Sequence, residues 1–347
     1  MTLRTLTERD LNRALLERQL LLERAALPIS GALERIGGLQ TQYAPSAYVG
    51  LWSRLVRFER AQLTSALERR NAVQATLMRS TIHIVSKRDF RLFAVGVRRA
   101  RREWWLRVSR GGADARAMQA VAQRLRNLLA DGVPERRTDL IEELGVDTAT
   151  WNGIGLWVDL VRAPPSGTWV HRRADLFASA DAWLGPSDAT ESDGIEHLVR
   201  RYLGGFGPAS ARDVASWAGV PLSMLTPAFD RMRLRRFRDE RGGELLDLQR
   251  APIPDPQTPA PVRFLPTWDA TLLVHARRTQ ILPEPYRALV FNTRTPHSLA
   301  TFLVDGRVAG TWTYERGGVR TSPFAPLPKE IRRGVAEEAE RLAEFHR

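Results

Sequence analysis

Cysteine is absent from the sequence and lysine is rare, occurring only as Lys87 and Lys329. The lack of cysteine excludes disulfides, thiolate metal sites and a cysteine nucleophile, and it fits the reducing cytoplasm, where we expect this protein. No uncharged run is long enough to span a bilayer. The stretch MTLRTLTERDLNRALL carries charges throughout and has no apolar signal-peptide core. The sequence therefore predicts no association with a membrane.

Sequence patterns of common catalytic centres are also missing. There is no HExxH or other metal-ligand spacing, no P-loop, no glycine-rich dinucleotide fingerprint and no GxSxG motif. We therefore expect neither a metal nor a cofactor. The scattered histidines are His83, His171, His197, His275, His297 and His346.

What the sequence has in excess is arginine. The 347 residues carry a net charge of +13 and a sequence pI of about 11.1. A G+C-rich genome would explain arginine in place of lysine, but not the excess of positive over negative charge. A strongly basic chain favours a polyanionic partner, most often a nucleic acid. The chain is also longer than one hydrophobic core usually serves, so we expect several modules.

The first part of the chain is predicted to be helical. Thr7 is a candidate N-cap for ERDLNRALLERQLLLER, whose leucines fall at helical spacing. A second helix is predicted over about Ile29–Gly37, where Gly37-Gly38 weakens it. Pro45 prevents a simple continuation, and a further helix is predicted to start after Ser46.

A β-hairpin is predicted to follow these helices. AVQATLM and TIHIVS read as strands joined near Arg79-Ser80, and SKRDFRLFAVGVRRARREWWLRVS reads as a long basic helix. Helices followed by a hairpin is the order of a winged helix-turn-helix module.

An internal repeat lies in the middle of the chain, with copies beginning at Thr138 and Arg212. Each copy predicts a helix, a glycine turn, a second helix and a glycine-containing hairpin, which is again a helix-turn-helix with a wing. The matching positions are Asp139, Gly145 and Val146 in the first copy and Asp213, Gly219 and Val220 in the second, with hairpins near Ser166-Gly167 and Gly242-Gly243.

The last part of the chain is predicted to be β-rich. A proline-rich linker, APIPDPQTPAPVRF, begins at Ala251. The stretches FLPTWDATLLV and SLATFLVDGRVAGTWTY, with the turn Asp305-Gly306, predict strands and a hairpin. A charged helix over Lys329–His346 closes the chain.

The predicted fold is therefore α+β and mostly helical, with three tandem winged helix-turn-helix modules and a C-terminal β-rich segment. The predicted modules are residues 1–110, 111–190 and 191–250, followed by the linker, β-rich segment and helix in 251–347. Winged helices also serve as protein-binding modules, but three of them on a chain of this charge favour DNA.

The pair Gln40 and Gln42 lies between the glycine break and Pro45. In an extended segment, residues two apart point the same way, so the two amides could converge on one spot. Two amides offer donors and acceptors enough to hold one water, but they cannot deprotonate it. Such a pair suits a reaction whose leaving group is already activated. The pattern alone favours a plainer interpretation, in which both glutamines are exposed or one caps the broken helix.

Three stretches resemble the winged-helix DNA glycosylases typified by AlkZ and YcaQ. These are GGLQTQYAPSAYVGLWSRL, MRSTIHIV and DATLLVHARR…LVDGRVAGTW, and the similarity runs from about Leu6 to Tyr314. The family hallmark is Gln-x-Gln in the AlkZ-like branch and Gln-x-Asp in the YcaQ-like branch. The triplet Gln40-Thr41-Gln42 therefore looks AlkZ-like, with Thr41 where an aliphatic residue is common.

This resemblance implies the excision of bulky N7-alkylguanine adducts from double-stranded DNA, interstrand crosslinks included. It further implies self-protection against a DNA-alkylating natural product. Gln40 and Gln42 would position the hydrolytic water, mainly by orientation. Because lysine is so rare, we expect monofunctional hydrolysis and no Schiff-base lyase step. A crosslinked guanine cannot be fully extruded, so an open basic cleft is expected.

Further site candidates carry competing interpretations. Arg79, Thr81 and His83 surround the first hairpin and either contact DNA near the lesion or serve as ordinary strand and turn residues. Arg277 and Arg278 either hold phosphates or are simple surface charge. The candidate for electrostatic support of the sugar cation is Asp269, for which a turn or cap role is the alternative.

Two other functions compete with the enzyme. A non-catalytic winged-helix transcriptional regulator would bind one DNA sequence and usually dimerise, but no heptad run supplies a dimerisation helix, and we expect a monomer. A protein-interaction scaffold would bind DNA weakly. Release of a modified base separates the enzyme from the regulator, and DNA affinity with its salt dependence separates the scaffold from both.

Overall fold

A computed structural model describes residues 3–109, 114–273, 279–292 and 297–347, with residues 292 and 297 described by their backbone only. Arg277 and Arg278, predicted to hold phosphates, lie outside the described residues. The predicted class, α+β and mostly helical, is confirmed. None of the helices in the described ranges is both long enough and apolar enough to cross a bilayer.

The described helices follow one another along the whole chain. They are α1 (Glu8–Arg18), α2 (Ile29–Ile36), α3 (Ala44–Arg54), α4 (Arg60–Glu68), α5 (Lys87–Val108), α6 (Ala115–Leu128), α7 (Arg137–Leu144), α8 (Thr148–Ile154), α9 (Ala180–Leu184), α10 (Glu191–Phe206), α11 (Ala211–Ala218), α12 (Leu222–Arg231), α13 (Ala270–Leu273), α14 (Arg287–Val290) and α15 (Lys329–His346).

The described strands form four sheets, with strand orders β2-β4-β3-β6-β7-β5, β10-β13-β14-β15, β1-β8-β9 and β11-β12. They are β1 (Thr5–Leu6), β2 (Leu39–Gln40), β3 (Ala72–Thr76), β4 (Ile82–Ser86), β5 (Glu135–Arg136), β6 (Leu160–Arg162), β7 (Leu176–Ser179), β8 (Leu234–Asp239), β9 (Glu244–Leu248), β10 (Arg263–Leu265), β11 (Phe291–Asn292), β12 (His297–Ser298), β13 (Thr301–Val304), β14 (Arg307–Glu315) and β15 (Gly318–Pro323).

Helix α1 begins where the sequence predicts. The amide of Asp10 donates to Thr7 Oγ1 at 3.1 Å, and the amide of Thr7 donates back to Asp10 Oδ2 at 2.9 Å. These reciprocal bonds satisfy two N–H groups that a bare helix end would leave unpaired. The helix ends at Arg18, before the last leucines of the pattern, because Leu20 adopts a left-handed conformation with φ 57°.

The chain leaves the helical conformation after α2, as the two glycines predict. The left-handed backbone of these glycines and the close approach of Gly38 to β4 both contribute. Gly37 ends the helix with φ 78°, and Gly38 follows with φ 82°. A Cβ at Gly38 would lie 2.7 Å from Val85 Cγ1, so only glycine lets the chain approach β4 this closely. Helix α3 begins at Ala44 and not after Ser46 as predicted, because proline is tolerated in a first helical turn.

The predicted repeat has the same element order in both copies. Helices α7 and α8 precede β6 and β7, and helices α11 and α12 precede β8 and β9. The first helix of each copy ends at a left-handed glycine, Gly145 with φ 60° and Gly219 with φ 70°. Residues at such a C′ position are usually glycine, because a Cβ is disfavoured there. The interpretation of each copy as a winged module stays a prediction.

Hydrogen bonding joins the predicted modules. Strands β3 and β6 pair through Gln74 and Arg162, which connects the first hairpin with that of the first repeat copy in the six-stranded sheet. Strand β1 pairs in parallel with β8, with Thr5 opposite Arg238. The boundaries at 110, 190 and 250 remain predictions.

The C-terminal segment matches its prediction except at one point. The turn Asp305-Gly306 joins β13 and β14 with φ 44° and 77°, the two positive values that a tight hairpin needs. Strand β10 includes only Phe264 and Leu265 of the stretch FLPTWDATLLV, and α13 follows Asp269. Helix α15 packs on the first helices, where Phe345 lies 6.0 Å from the ring of Trp52.

Candidate active site

The glutamine pair lies at the edge of the six-stranded sheet. Strand β2 pairs antiparallel with β4, which places Gln40 directly opposite His83. The amide of Thr41 continues this pairing and donates to the carbonyl of Ile82 at 2.8 Å. Directly opposite residues of an antiparallel pair share one face, so Gln40 and His83 are neighbours.

Both glutamine side chains are held by the same segment of chain. The guanidinium of Arg79 donates from Nη2 to Gln40 Oε1 at 2.8 Å, and the backbone amide of Ile82 donates to Gln42 Oε1 at 3.0 Å. Because guanidinium and peptide N–H groups are donors only, the atoms that face them are the carbonyl oxygens. Gln40 is buried, with 8% of its surface exposed, whereas Gln42 is exposed.

This anchoring leaves a defined set of groups for a ligand. Each amide keeps its NH₂ donors and one further lone pair on its carbonyl oxygen. The binding of one water between the two amides stays a prediction. Neither amide can take up a proton. A side-chain amide can orient a nucleophile by hydrogen bonding but cannot activate it by deprotonation.

The turn that anchors the glutamines has an unusual backbone. Arg79 and Ser80 are both left-handed, with φ 52° and 60°, a conformation that costs about 1–3 kcal/mol per non-glycine residue. The bonds that close the turn include one from Leu77 N to Thr81 O at 3.0 Å and one from Thr81 Oγ1 to Met78 O at 3.0 Å. Conformations of this kind cluster at functional sites, where the surrounding structure enforces them.

Helix α11 supports the same turn from the second repeat copy. A Cβ at Gly219 would lie 3.0 Å from the backbone nitrogen of Arg79, so the two backbones touch. Arg79 Nη1 also donates to the carbonyl of Trp217, near the C-terminal end of α11, where the helix dipole favours a cation. Burial lowers the pKa of Arg79 to about 10, which leaves it charged at pH 7.

Two further arginines lie beneath the turn, and the sequence interpretation missed them. Arg101 donates to Ser80 Oγ at 3.2 Å and to Thr76 O at 3.0 Å, and Arg162 donates to Thr76 Oγ1 at 2.9 Å. Burial lowers the pKa of each guanidinium to about 10. The two cations stabilise the turn and raise the local positive potential.

The spacing of apolar residues in α5 is the sequence signal for a buried Arg101. Arg101 follows Phe93 and Val97 and precedes Trp105 at intervals of four residues, so it falls on the apolar face of α5. An arginine on the apolar face of a helix is buried only when it has a partner, and here the partners are Ser80 and Thr76.

Thr81 and His83 are both tied to the turn. His83 is 3% exposed, and its Nδ1 lies 3.0 Å from the carbonyl of Thr81, to which the neutral ring donates. Burial, followed by the charge of Arg79, lowers the pKa of His83 to about 3. The imidazole is therefore neutral at pH 7. All three predicted DNA contacts in this segment stay predictions. The side chains of Arg79, Thr81 and His83 each form a hydrogen bond to a protein group at or beside the turn.

Asp269 lies in a different environment from the glutamines. Its side chain is fully buried and forms a two-point ion pair with Arg54, at 2.9 and 3.0 Å. Its Oδ1 also accepts from the amide of Thr271 at 3.0 Å, as a residue that starts a helix does. The geometry agrees with the alternative turn or cap role, and electrostatic support of a sugar cation stays a prediction.

Comparison with known proteins identifies the class. A family model described as "DNA glycosylase AlkZ-like" matches residues 33–345. The solved structure of Streptomyces sahachiroi DNA glycosylase AlkZ superposes with a TM-score of 0.83 at 19% identity, covering 99% of this chain and 97% of that one. A search of curated proteins gave no match.

The protein is a DNA glycosylase, an enzyme that acts on DNA. More narrowly, it belongs to the AlkZ-like DNA glycosylase family, since the family model spans most of the chain. The resemblance stated from the sequence is confirmed at this level. The non-catalytic regulator is set aside by the same match.

Proposed function

We propose that the enzyme hydrolyses the N-glycosidic bond of bulky N7-alkylguanine, with Gln40 and Gln42 positioning the water. The observation that carries the proposal is the fixing of both amides by their carbonyl oxygens on one turn. Alkylation at N7 makes the guanine cationic and therefore a good leaving group. A site that orients water without deprotonating it suffices for such a substrate.

The reaction divides into bond cleavage and water addition. The bond from C1′ to N9 breaks, and its electron pair leaves with the base, which becomes neutral alkylguanine. The sugar gains oxocarbenium character, and the oriented water adds its oxygen to C1′ and releases a proton to solvent. The glutamines contribute orientation, and misplacing a nucleophile by about 1 Å can cost about a hundredfold in rate.

The same proposal covers the finer points of the family resemblance. We assign the Gln-x-Gln branch from Gln40-Thr41-Gln42, and we interpret the first hairpin and the two repeat copies as three winged helices that grip duplex DNA. A guanine crosslinked to the other strand cannot be fully extruded, so unhooking of crosslinks requires an open cleft. Self-protection against a DNA-alkylating natural product is the role that fits this substrate.

The test is single-turnover release of alkylguanine from a duplex that carries one adduct. Gln40→Ala and Gln42→Ala should each slow release by about a hundredfold and leave DNA affinity nearly unchanged, because a neutral amide contributes little to phosphate binding. Gln119→Ala replaces an exposed glutamine on α6 and is the matched control. Release by the double variant Gln40→Ala, Gln42→Ala at the unmodified rate would show that the glutamines are structural.

A further inference from the structure

An aromatic groove opens beside the glutamine pair. Its cavity measures about 480 Å³, within the range of sites that hold a small molecule. We define the aromatic groove by the five rings among its lining residues. These are Tyr43, Trp169, Trp312, Tyr314 and His346. Tyr43 directly follows Gln42, so the groove begins one residue from the proposed catalytic pair.

The rings come from distant segments and brace one another. Tyr314 stacks on His346 with centroids 4.3 Å apart and an angle of 19° between the planes. Trp169, from the loop between β6 and β7, forms an edge-to-face contact with His346, with ring centroids 5.3 Å apart. Tyr43 and Tyr314 remain 43% and 36% exposed. The groove therefore offers preformed ring surface to a ligand at little further cost in side-chain ordering.

The charge of the groove limits what it can hold. Among the described residues that line it there is no carboxylate, and Arg172 is the one permanent cation. Arg172 Nη1 donates to the hydroxyl of Tyr43 at 2.9 Å, with its guanidinium 5.7 Å from the ring. Burial lowers the pKa of His346, so this ring favours the neutral form. Such a lining suits a neutral, flat, apolar group better than a phosphate or a cation.

We propose that the aromatic groove holds the planar apolar substituent of the adduct while it is still bonded to guanine N7. The inference rests on the proposed function, because the substituent must reach the groove while C1′ lies beside Gln42. The Cα atoms of Gln42 and Tyr43 are about 3.8 Å apart, and we expect a substituent of two or three fused rings to be long enough to extend from the site at Gln42 into the groove. The groove selects bulky adducts by binding the part of the lesion that normal guanine lacks.

The experiment compares two duplexes that differ only in the N7 substituent. One carries N7-methylguanine and the other N7-(9-anthracenylmethyl)guanine. Dissociation constants and single-turnover release rates are measured for the unmodified enzyme, Tyr43→Ala and Tyr314→Ala. We expect each variant to lose about tenfold in affinity for the anthracenylmethyl duplex, the scale of one base–aromatic stack, and to bind and excise the methyl adduct as the unmodified enzyme does.

Two further variants separate stacking from other effects. Tyr43→Phe keeps the ring and loses the hydroxyl that Arg172 contacts, so it should retain the preference for the anthracenylmethyl duplex. Val133→Ala is the control, because Val133 is an apolar side chain that is 52% exposed and does not line the groove. This variant should bind and excise both adducts as the unmodified enzyme does. Because Tyr43 and Tyr314 are substantially exposed, their removal leaves the core intact, which circular dichroism and thermal unfolding would verify.

The outcomes distinguish the groove from the reaction. If every variant binds and excises both adducts as the unmodified enzyme does, the proposed role of the groove is wrong. The proposed function would still stand, because both bases are released. An equal loss on both duplexes would also overturn it, since the rings would then be general DNA contacts. A tyrosine-dependent preference for the anthracenylmethyl duplex without release of either base would support the groove and contradict the proposed function.

Discussion

Arg79 donates a hydrogen bond of 2.8 Å to the side-chain carbonyl of Gln40, a residue 39 positions earlier in the chain. The same guanidinium donates to the carbonyl of Trp217 on α11. The orientation of Gln40 therefore depends on the first hairpin turn and on a helix of the second repeat copy. Under the proposed mechanism Arg79 is a positioning residue, because its hydrogen bond fixes the orientation of the Gln40 amide.

Replacing Arg79 by Met should separate positioning from DNA binding. Loss of the guanidinium frees the Gln40 amide to rotate, and we expect the excision rate to fall by about tenfold to a hundredfold. Affinity for duplex DNA should change by less than about threefold, because this guanidinium is directed at protein groups. Both quantities come from one single-turnover titration.

A matched comparison is Arg79→Lys, which keeps the charge but cannot reach Gln40 and Trp217 together. The excision rate of Arg79→Lys should fall almost as far as that of Arg79→Met. A different pair of results would contradict this account. Arg79→Lys would behave as the unmodified enzyme, and Arg79→Met would lose DNA affinity and lower the slope of log binding constant against log salt concentration by about one. Arg79 would then be a phosphate contact and not a positioning residue.

Gln42→Glu should retain activity where Gln42→Ala does not. The glutamate keeps an oxygen for the amide of Ile82, which now donates to Gln42 at 3.0 Å, and it adds a negative charge that stabilises the oxocarbenium. We expect release within about tenfold of the unmodified rate, against a loss of about a hundredfold for Gln42→Ala. Equal losses in the two variants would mean that the amide NH₂ group is essential.

The buried pair Arg54–Asp269 tests whether Asp269 is structural. Asp269→Leu leaves Arg54 buried without its partner and should lower the free energy of unfolding by about 3–5 kcal/mol, measured by urea denaturation. Adding Arg54→Met should recover much of that loss, because replacing both ions with apolar groups is often nearly neutral. A structural Asp269 predicts that the stable double variant excises at the normal rate. A stable but inactive double variant would instead support a role for its charge in the reaction.

Protonation of His83 should make the fold sensitive to acid. Burial lowers the pKa of His83 from 6.5 to about 3, so between these values the unfolded chain binds more protons than the folded one. The contribution is fully present above about pH 6.5 and is lost as pH falls toward 3. His83→Asn should therefore show a smaller loss of urea midpoint between pH 7.5 and 4.5, with His171→Asn, at an exposed histidine, as control. An unchanged pH dependence would contradict this account.

Affinity for DNA should depend on salt and hardly on sequence. Arginine–phosphate contacts release counterions, so the logarithm of the binding constant should fall linearly with the logarithm of salt concentration. Titrations with several unrelated duplexes at rising salt would measure this. Tight binding to one duplex with weak binding to the others would contradict the expectation.

Local features of this protein could be predicted from the sequence because their causes lie within a few residues. The cap at Thr7, the left-handed Gly145 and Gly219, and the turn Asp305-Gly306 each depend on a side chain or a missing Cβ at that position. The family could also be predicted, since its stretches are contiguous in sequence, and the resemblance directed attention to Gln40 and Gln42.

Only the tertiary structure decided the partners of the polar groups. The partner of Asp269 is Arg54, 215 residues away, and the groove beside Tyr43 needs rings from three other segments. Arg101 belongs to a strongly charged run of the sequence but is buried under the turn at Ser80. Propensity and caps act over one helical turn, whereas ion pairs and ring contacts depend on which distant segments the hydrophobic core brings together. The sequence therefore indicated which residues to examine, and packing determined what each one touches.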